Sequence, residues 1–341
     1  MEELDPRQRD ILRVIVQEHI ATGDPVGSSA IAGRELQVSP ATVRGVMADL
    51  EELGFLEKPH TSAGRVPTEQ GYRYFVDTLV QIRPPTKPER ELIERSLPPT
   101  AAADEALRET GRLLSTLSHH AAVVTLPGPL QMPLERVDFI PLKENRVLAV
   151  LISRSGLVRN LLLVDFPIPA EELGRAAALL NELIEDAPLE KVREHLAQEL
   201  ARAKSEYATL EQRAMALGQR VLELAGAAGS DVVIQGRESF FEEKEFSDVK
   251  RMRELFAALE EKSKLLEVLD RTLAGRELKI FLGADTEFSA RTGASVVAAP
   301  YSTESGIVGS VGIIGPTRMD YSRAIALVDY TAQVLSRLLR T

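Results

Sequence analysis

Residues 39–53, SPATVRGVMADLEEL, constrain the fold more than any other stretch of the chain. A serine followed by a proline marks a helix start: the serine oxygen caps a free N–H group, and a proline in the first turn lacks an N–H that would have no partner anyway. At 3.6 residues per turn, Val43, Val46, Met47, Leu50 and Leu53 share one stripe. The other side carries Ala41, Gly45, Ala48 and Glu52, with Thr42 and Arg44 on its flanks. Solvated helix faces normally show long charged side chains. This one is small and smooth over its first two turns, which lets a helix backbone approach another surface closely.

The neighbouring segments give that helix a context. Residues 5–21, DPRQRDILRVIVQEHIA, space Ile11, Leu12, Ile15, Val16 and Ile20 as a helix capped by Asp5, and TGDP ends it. A short helix over 28–36, opened by Ser28 and turning Ile31 and Leu36 inward, follows, and only QVS separates it from the next. Gly54 closes the third helix; FLEKP then reads as a strand, PHTSAGR as a turn-rich loop and VPT as the returning strand. Residues 68–82, TEQGYRYFVDTLVQI, form another amphipathic helix. Three helices, a small hairpin and a helix make a winged helix-turn-helix.

Charge supports a local nucleic-acid site and opposes a coat protein. The whole chain carries −10, and residues 1–83 hold nine Lys/Arg against thirteen Asp/Glu, too acidic for affinity built on many phosphate contacts. Within 58–73, however, Lys58, Arg65 and Arg73 face only Glu69. The candidate DNA-binding residues are therefore Ser28, Ser39, Ala41, Thr42, Arg44 and Gly45 in the helix pair, with Lys58, His60, Thr61, Ser62, Arg65 and Arg73 in and after the wing. Ser39 and Thr42 suit phosphate, Arg44 suits guanine or phosphate, and the wing residues suit the backbone or the minor groove. The plain alternative, a helical cap with a solvated loop, leaves the smooth face and the cationic loop unexplained.

The remaining residues outline a larger body. At 341 residues the chain is long enough for two or three domains, and its 44% apolar content is ample for real cores. It has no cysteine, its N-terminus lacks the apolar run of a signal peptide, and no apolar run is long enough for a bilayer, so a soluble, cytoplasmic protein without membrane contact is expected. Residues 84–103 read as a Pro-rich linker around one short helical piece. Then come a helix over 104–122, an antiparallel meander over 134–165 and an all-helical block over 169–226. A strand at 232–236, a long helix around 256–270, strands at 278–283, 294–301 and 307–314, and a terminal helix from about 322 complete the chain. The expected fold is multidomain α+β, with a sheet domain made of 104–168 and 229–341 and a mainly helical insertion at 169–228.

Catalytic and cofactor signals are weak. Gly306, Gly309, Gly312 and Gly315 match neither a P-loop nor GxGxxG, and fit better as places where backbones pack closely. His119 and His120 stand adjacent in the expected helix, with no HxxxH or HExxH, and there is no GxSxG elbow. No metal, no cofactor and no enzymatic activity are expected.

The blocks ATVR, MADLEELG, PHTSAGR-PT and GYR within 39–77, and GSVGIIGPTRMDY at 309–321, closely resemble the HrcA family of heat-inducible transcription repressors, and the resemblance covers the whole chain. It implies a winged helix, a GAF-like domain and a dimerising domain inserted into it. It also implies a homodimer on an inverted-repeat operator of chaperone genes, with the chaperonin as a partner that keeps the repressor active and heat as the signal. One position departs from the family, which usually carries asparagine after ATxR where this chain has Gly45. Asparagine reads adenine through its amide, so one candidate base contact is missing. Two other readings are a regulator whose sheet domain senses a small ligand, and an enzyme with an accessory winged helix; the latter would need a titratable cluster within 231–314.

Overall fold

The computed structural model describes residues 4–32, 38–59, 64–98, 103–128, 134–154, 156–166, 168–185, 210–228, 230–303 and 306–340, with 192, 196 and 198 between. Asp5 opens the first helix: its carboxylate accepts the Gln8 N–H at 2.9 Å while the Gln8 side chain accepts the Asp5 N–H. Helix α1 (Pro6–Thr22) then runs to Gly23, which ends it with φ 74°. Helix α2 (Ser28–Ile31) is followed by residues outside the described set, including Leu36. Helix α3 (Pro40–Glu52) starts at Ser39, and strands β1 (Leu56–Glu57) and β2 (Val66–Pro67) pair antiparallel after it. Helix α4 (Glu69–Tyr74) gives way to a wider π turn, Phe75–Leu79, closed by the Val80 N–H on the Phe75 carbonyl at 2.8 Å. The single helix expected over 68–82 is thus divided, with the Thr78 hydroxyl occupying the Tyr74 carbonyl.

Helices α5 (Lys87–Ser96) and α6 (Ala103–Ser118) lead into strand β3 (Ala121–Leu126). Strands β4 (Leu134–Leu142), β5 (Arg146–Ser153) and β6 (Val158–Leu163) follow, then helices α7 (Ala170–Glu185) and α8 (Leu210–Ala228). Strand β7 (Asp231–Gln235), helices α9 (Val249–Glu260) and α10 (Lys262–Gly275), strand β8 (Lys279–Phe281) and helix α11 (Glu287–Thr292) come next. Strands β9 (Ala294–Thr303) and β10 (Gly306–Pro316) precede the terminal helix α12 (Tyr321–Leu338). The chain is a mixed α+β protein whose described strands form three antiparallel sheets, ordered β1-β2, β7-β3-β10-β9-β8 and β4-β5-β6.

Alternate residues of the five-stranded sheet face two cores. Ala122, Val124, Val297, Val311 and Ile313 join the apolar cluster that holds α6, α12 and the N-terminal helices. Ala121, Val123, Val296, Ala298 and Ile314 join α9 and α10 on the opposite face. This explains a misreading. A strand covered on both faces shows no polar alternation, so Ala121 and Ala122 read as the end of the preceding helix and the rest of AAVVTL goes without an assignment. The helix instead stops at Ser118, His119 turns with φ 60°, and neither His119 nor His120 lies on it. The long helix expected around 256–270 is likewise two, meeting at Glu261.

Packing groups the meander with the helical block. Leu126 pairs with Asp231, so the chain leaves the five-stranded sheet and returns to the neighbouring position about a hundred residues later. The meander's Val137, Val147, Ala149 and Leu151 pack with Leu180, Leu217 and Val221 of the helical block, in a cluster separate from the larger sheet. The meander therefore belongs with the helices that follow it. In the Pro-rich stretch, α5 is docked: Ile93 and Leu97 are buried, Glu94 accepts from the Tyr330 hydroxyl at 2.7 Å, and Glu89 pairs with Arg323 at 2.9 Å.

Two glycines of β10 mark close approaches. A Cβ on Gly309 would fall 2.4 Å from the Tyr301 ring, and one on Gly312 would fall 2.5 Å from the Val297 carbonyl oxygen. The second obstacle is backbone and cannot swing aside. Gly312→Ala is expected to lower unfolding free energy by about 1–3 kcal/mol, read from the urea midpoint at unchanged m-value.

Candidate nucleic-acid interface

The exposed face of α3 begins with the packing beneath it. Val43, Met47 and Leu50 of α3 are buried in the cluster that contains Ile11, Leu12, Ile15 and Val16 of α1. That registration leaves Ala41, Arg44, Gly45 and Ala48 exposed, the smooth side anticipated from periodicity. The Ser39 oxygen caps the helix by accepting the Thr42 N–H at 3.1 Å, and the two hydroxyls share one hydrogen bond at 2.9 Å. One of the two O–H groups therefore stays free to donate outward. Among the described residues Arg44 has no ion pair, and a Cβ on Gly45 would meet nothing within 4 Å. Ser28 stands half-exposed at the head of α2.

The wing is braced at its base. Val26 and Arg65 exchange backbone hydrogen bonds at 2.8 and 3.0 Å, which ties the start of β2 to the loop between α1 and α2. Gly64 sits against Pro25 so closely that a Cβ would lie 2.6 Å from the Pro25 side chain. Thr68 caps α4 through the Gly71 N–H at 3.1 Å and donates its hydroxyl to the Gly54 carbonyl at 2.6 Å. His60, Thr61 and Ser62, at the tip, lie outside the described residues.

The expected cations divide into two kinds. Lys58 is 56% exposed and lies 3.6 Å from Glu51. Arg65 is only 18% exposed and donates from Nε to Glu51 at 2.6 Å. Arg73 stands apart from the wing: it pairs with Asp77 and Asp285 and donates to the Ile280 carbonyl, reaching the edge of the five-stranded sheet. Beside it, Glu69 accepts the Ala284 N–H at 2.6 Å. Glu51 and Asp285 were not among the sequence candidates, because each earns its place through a partner distant in sequence.

A second set of contacts fixes the N-terminal unit to the body. The His19 ring lies 2.6 Å from the Tyr72 hydroxyl, Arg318 reaches the Ile20 carbonyl at 3.5 Å, and Ser322 meets both the Gln81 carbonyl and the Arg83 N–H. Burial, with the Arg318 guanidinium nearby, holds the His19 pKa below its ordinary value, and burial pushes Tyr72 well up. A cleft of about 540 Å³ lies along this junction, with Phe75, Val80 and Met319 beside Arg83, Arg318 and Glu243. Among the described residues no cluster of three or more His, Asp or Glu side chains is placed to hold a metal ion, and no helix is long and apolar enough to cross a membrane.

Residues 104–325 match the family model described as HrcA protein C terminal domain. The heat-inducible transcription repressor HrcA of Anaeromyxobacter sp. (strain K) is 46% identical over 344 residues, covering 99% of this chain and 97% of that protein. Its namesake in Geobacter sulfurreducens is 42% identical over 342 residues, covering 99% of each. A solved structure described only as a hypothetical protein shares the fold over 99% of both chains, with a TM-score of 0.66 at 21% identity.

Two glycine substitutions separate an open site from a packed one. Gly45→Ala adds a methyl where nothing opposes it and is expected to stabilise by about 0.5–1 kcal/mol through helix propensity. Gly64→Ala drives a methyl into Pro25 and is expected to destabilise by about 1–3 kcal/mol. Thermal melting of both variants checks the pair, and equal shifts would contradict the stated packing.

Proposed function

This chain belongs to the HrcA family of heat-inducible transcription repressors, and on that premise we propose that it represses chaperone genes as a homodimer bound to an inverted-repeat DNA operator. The observation that carries the DNA reading is the exposed side of α3, smooth at Ala41, Gly45 and Ala48, with Arg44 without an ion pair among the described residues. The N-terminal half of α3 enters the major groove, where Arg44 reaches a base edge or a phosphate. The helix start, with the spare hydroxyl of the Ser39–Thr42 pair, faces phosphate, as the helix dipole favours. Lys58, His60, Thr61 and Ser62 follow the backbone as the wing, whereas Arg65 and Arg73 enter as ions already paired within the protein. Residues 1–83 are then the winged helix, the five-stranded sheet with its helices the GAF-like domain, and 127–230 the inserted unit.

A homodimer is supported by the outer face of the three-stranded sheet. Ile140, Leu142, Val158, Leu162 and Val164 are 40–61% exposed, and the register lines Ile140, Leu148 and Leu162 in one row across the sheet. Exposed apolar side chains on this face, set among Arg136, Asp138, Arg146 and Asn160, favour burial against a second copy. Two copies would bring two reading helices to the halves of a palindrome. The family resemblance adds that chaperonin supports the repressor and that heat withdraws it.

One feature favours a second reading, a small-ligand response. The 540 Å³ cleft lies between the reading unit and the body, where an occupant would bear on both. A metabolite that raised the melting temperature and altered DNA affinity together would move the regulatory signal there.

Selection of tight binders from random duplexes is expected to recover an inverted repeat, and Arg44→Ala should weaken binding to it by about 1–3 kcal/mol and relax one position in each half-site. Recovery of no common sequence would sink the DNA reading. Leu162→Glu should leave the circular dichroism spectrum intact while turning a dimer into a monomer by sedimentation. An unchanged dimer would place the interface elsewhere.

A further inference from the structure

The last turn of α3 holds Asp49, Glu51 and Glu52 and no basic residue. Carboxylates there stand at the negative end of the helix dipole and, on the proposed function, close to a polyanion. Both effects disfavour them. Asp49 and Glu52 are exposed and keep their hydration, whereas Glu51 is half-buried and its two oxygens are divided. Oε2 accepts from Arg65 Nε at 2.6 Å, at the foot of the returning wing strand, and Oε1 lies 3.6 Å from Lys58 Nζ, beyond the end of the outgoing one. One carboxylate of the reading helix thus ties together both limbs of the wing. Arg65 is held from the other side by its backbone pairing with Val26, and Gly64 is seated on Pro25. The α1–α2 loop, the reading helix and the wing meet at this one ion pair.

We propose that Glu51 is a positioning residue for operator recognition: it fixes the wing against the reading helix and, by withholding Arg65 from the duplex, gives up phosphate affinity for sequence selectivity. The proposal rests on the DNA-binding reading above. A free arginine on the wing would add a phosphate contact, which strengthens binding to every sequence alike and carries no base information. A charge-assisted hydrogen bond at 2.6 Å from Arg65 Nε, with the arginine largely shielded from water, opposes that contact. Phosphate contacts from a wing held in one pose set the register of the reading helix on the bases; those from a loose wing accept many registers.

The test uses the full chain, the duplex recovered by selection and a scrambled copy, with binding measured across a salt series and hydrogen exchange measured without DNA. Glu51→Gln keeps the shape and removes the charge. Glu52→Gln removes the same charge from an exposed neighbour, and Arg65→Gln breaks the pair without freeing a cation. In Glu51→Gln the slope of log K against log salt should steepen by about one, the scrambled duplex should bind more tightly and the preference ratio should fall about tenfold. The amides of Val26 and Arg65 should exchange about tenfold faster in both Glu51→Gln and Arg65→Gln, and neither change should appear in Glu52→Gln. Arg65→Gln should lose preference with its salt slope unchanged; a slope shallower by about one would mean that Arg65 already contacts phosphate, which overturns the proposal. Equal behaviour of Glu51→Gln and Glu52→Gln overturns it as well. A wild-type chain with no preference for any duplex defeats the DNA reading itself, a result distinct from preserved preference with an undisturbed wing.

Discussion

Strand β3 is hydrogen-bonded along both edges, to β7 and β10, and covered on both faces, and the rest of the architecture is arranged around that condition. Every residue from Ala121 to Leu126 is buried, so α6 on one side and α9 with α10 on the other must be in place before the strand is stable. The chain leaves the sheet at the end of β3 and re-enters as its hydrogen-bonded neighbour β7. An excursion between adjacent antiparallel positions leaves the sheet's order undisturbed, which is why a separate apolar cluster can be hung there. The terminal helix α12 closes the same face as α6 and supplies the surface to which α5 and the segment around Gln81 attach.

What was legible in the sequence follows from distance along the chain. Helix boundaries set by local caps were readable: Asp5 with Gln8, Ser39 with Thr42 and Gly23 at a left-handed φ each act within one turn. The hairpins of the meander were readable for the same reason. The ion pair between Glu51 and Arg65 spans 14 positions and that between Arg73 and Asp285 more than two hundred, and neither leaves a local trace. The sequence reading therefore assigned Arg65 and Arg73 to phosphate by charge alone. Strand β3 failed in another way, since complete burial erased the alternation by which a strand is recognised. Helical composition changes at residue 169, whereas the packing changes where the sheet is left.

The basic loop of this acidic chain is largely matched by carboxylates. Of the three cations in 58–73, each lies within ion-pairing distance of a carboxylate, although Lys58 remains largely in water. Among the described residues of this surface, the cation without an ion pair is Arg44, on the helix. Elsewhere the net charge of −10 repels a duplex.

The joint between reading unit and body carries the argument beyond a single copy. Glu69 and Arg73 grip the loop after β8, Arg318 grips the end of α1, and a continuous apolar cluster runs from α1 and α3 to α12 and the sheet. A reading helix joined by that much buried contact has little freedom to swing, in contrast to one on a flexible tether. If two copies meet through the apolar face of the inserted sheet, the separation of the two reading helices is set by this joint and by the base of the insertion. At that base Arg159 pairs with Asp104 at 2.7 Å, linking β6 to α6. The spacing of operator half-sites then becomes a property of the whole chain, and a change at either joint alters which DNA is bound without touching a residue that reads it.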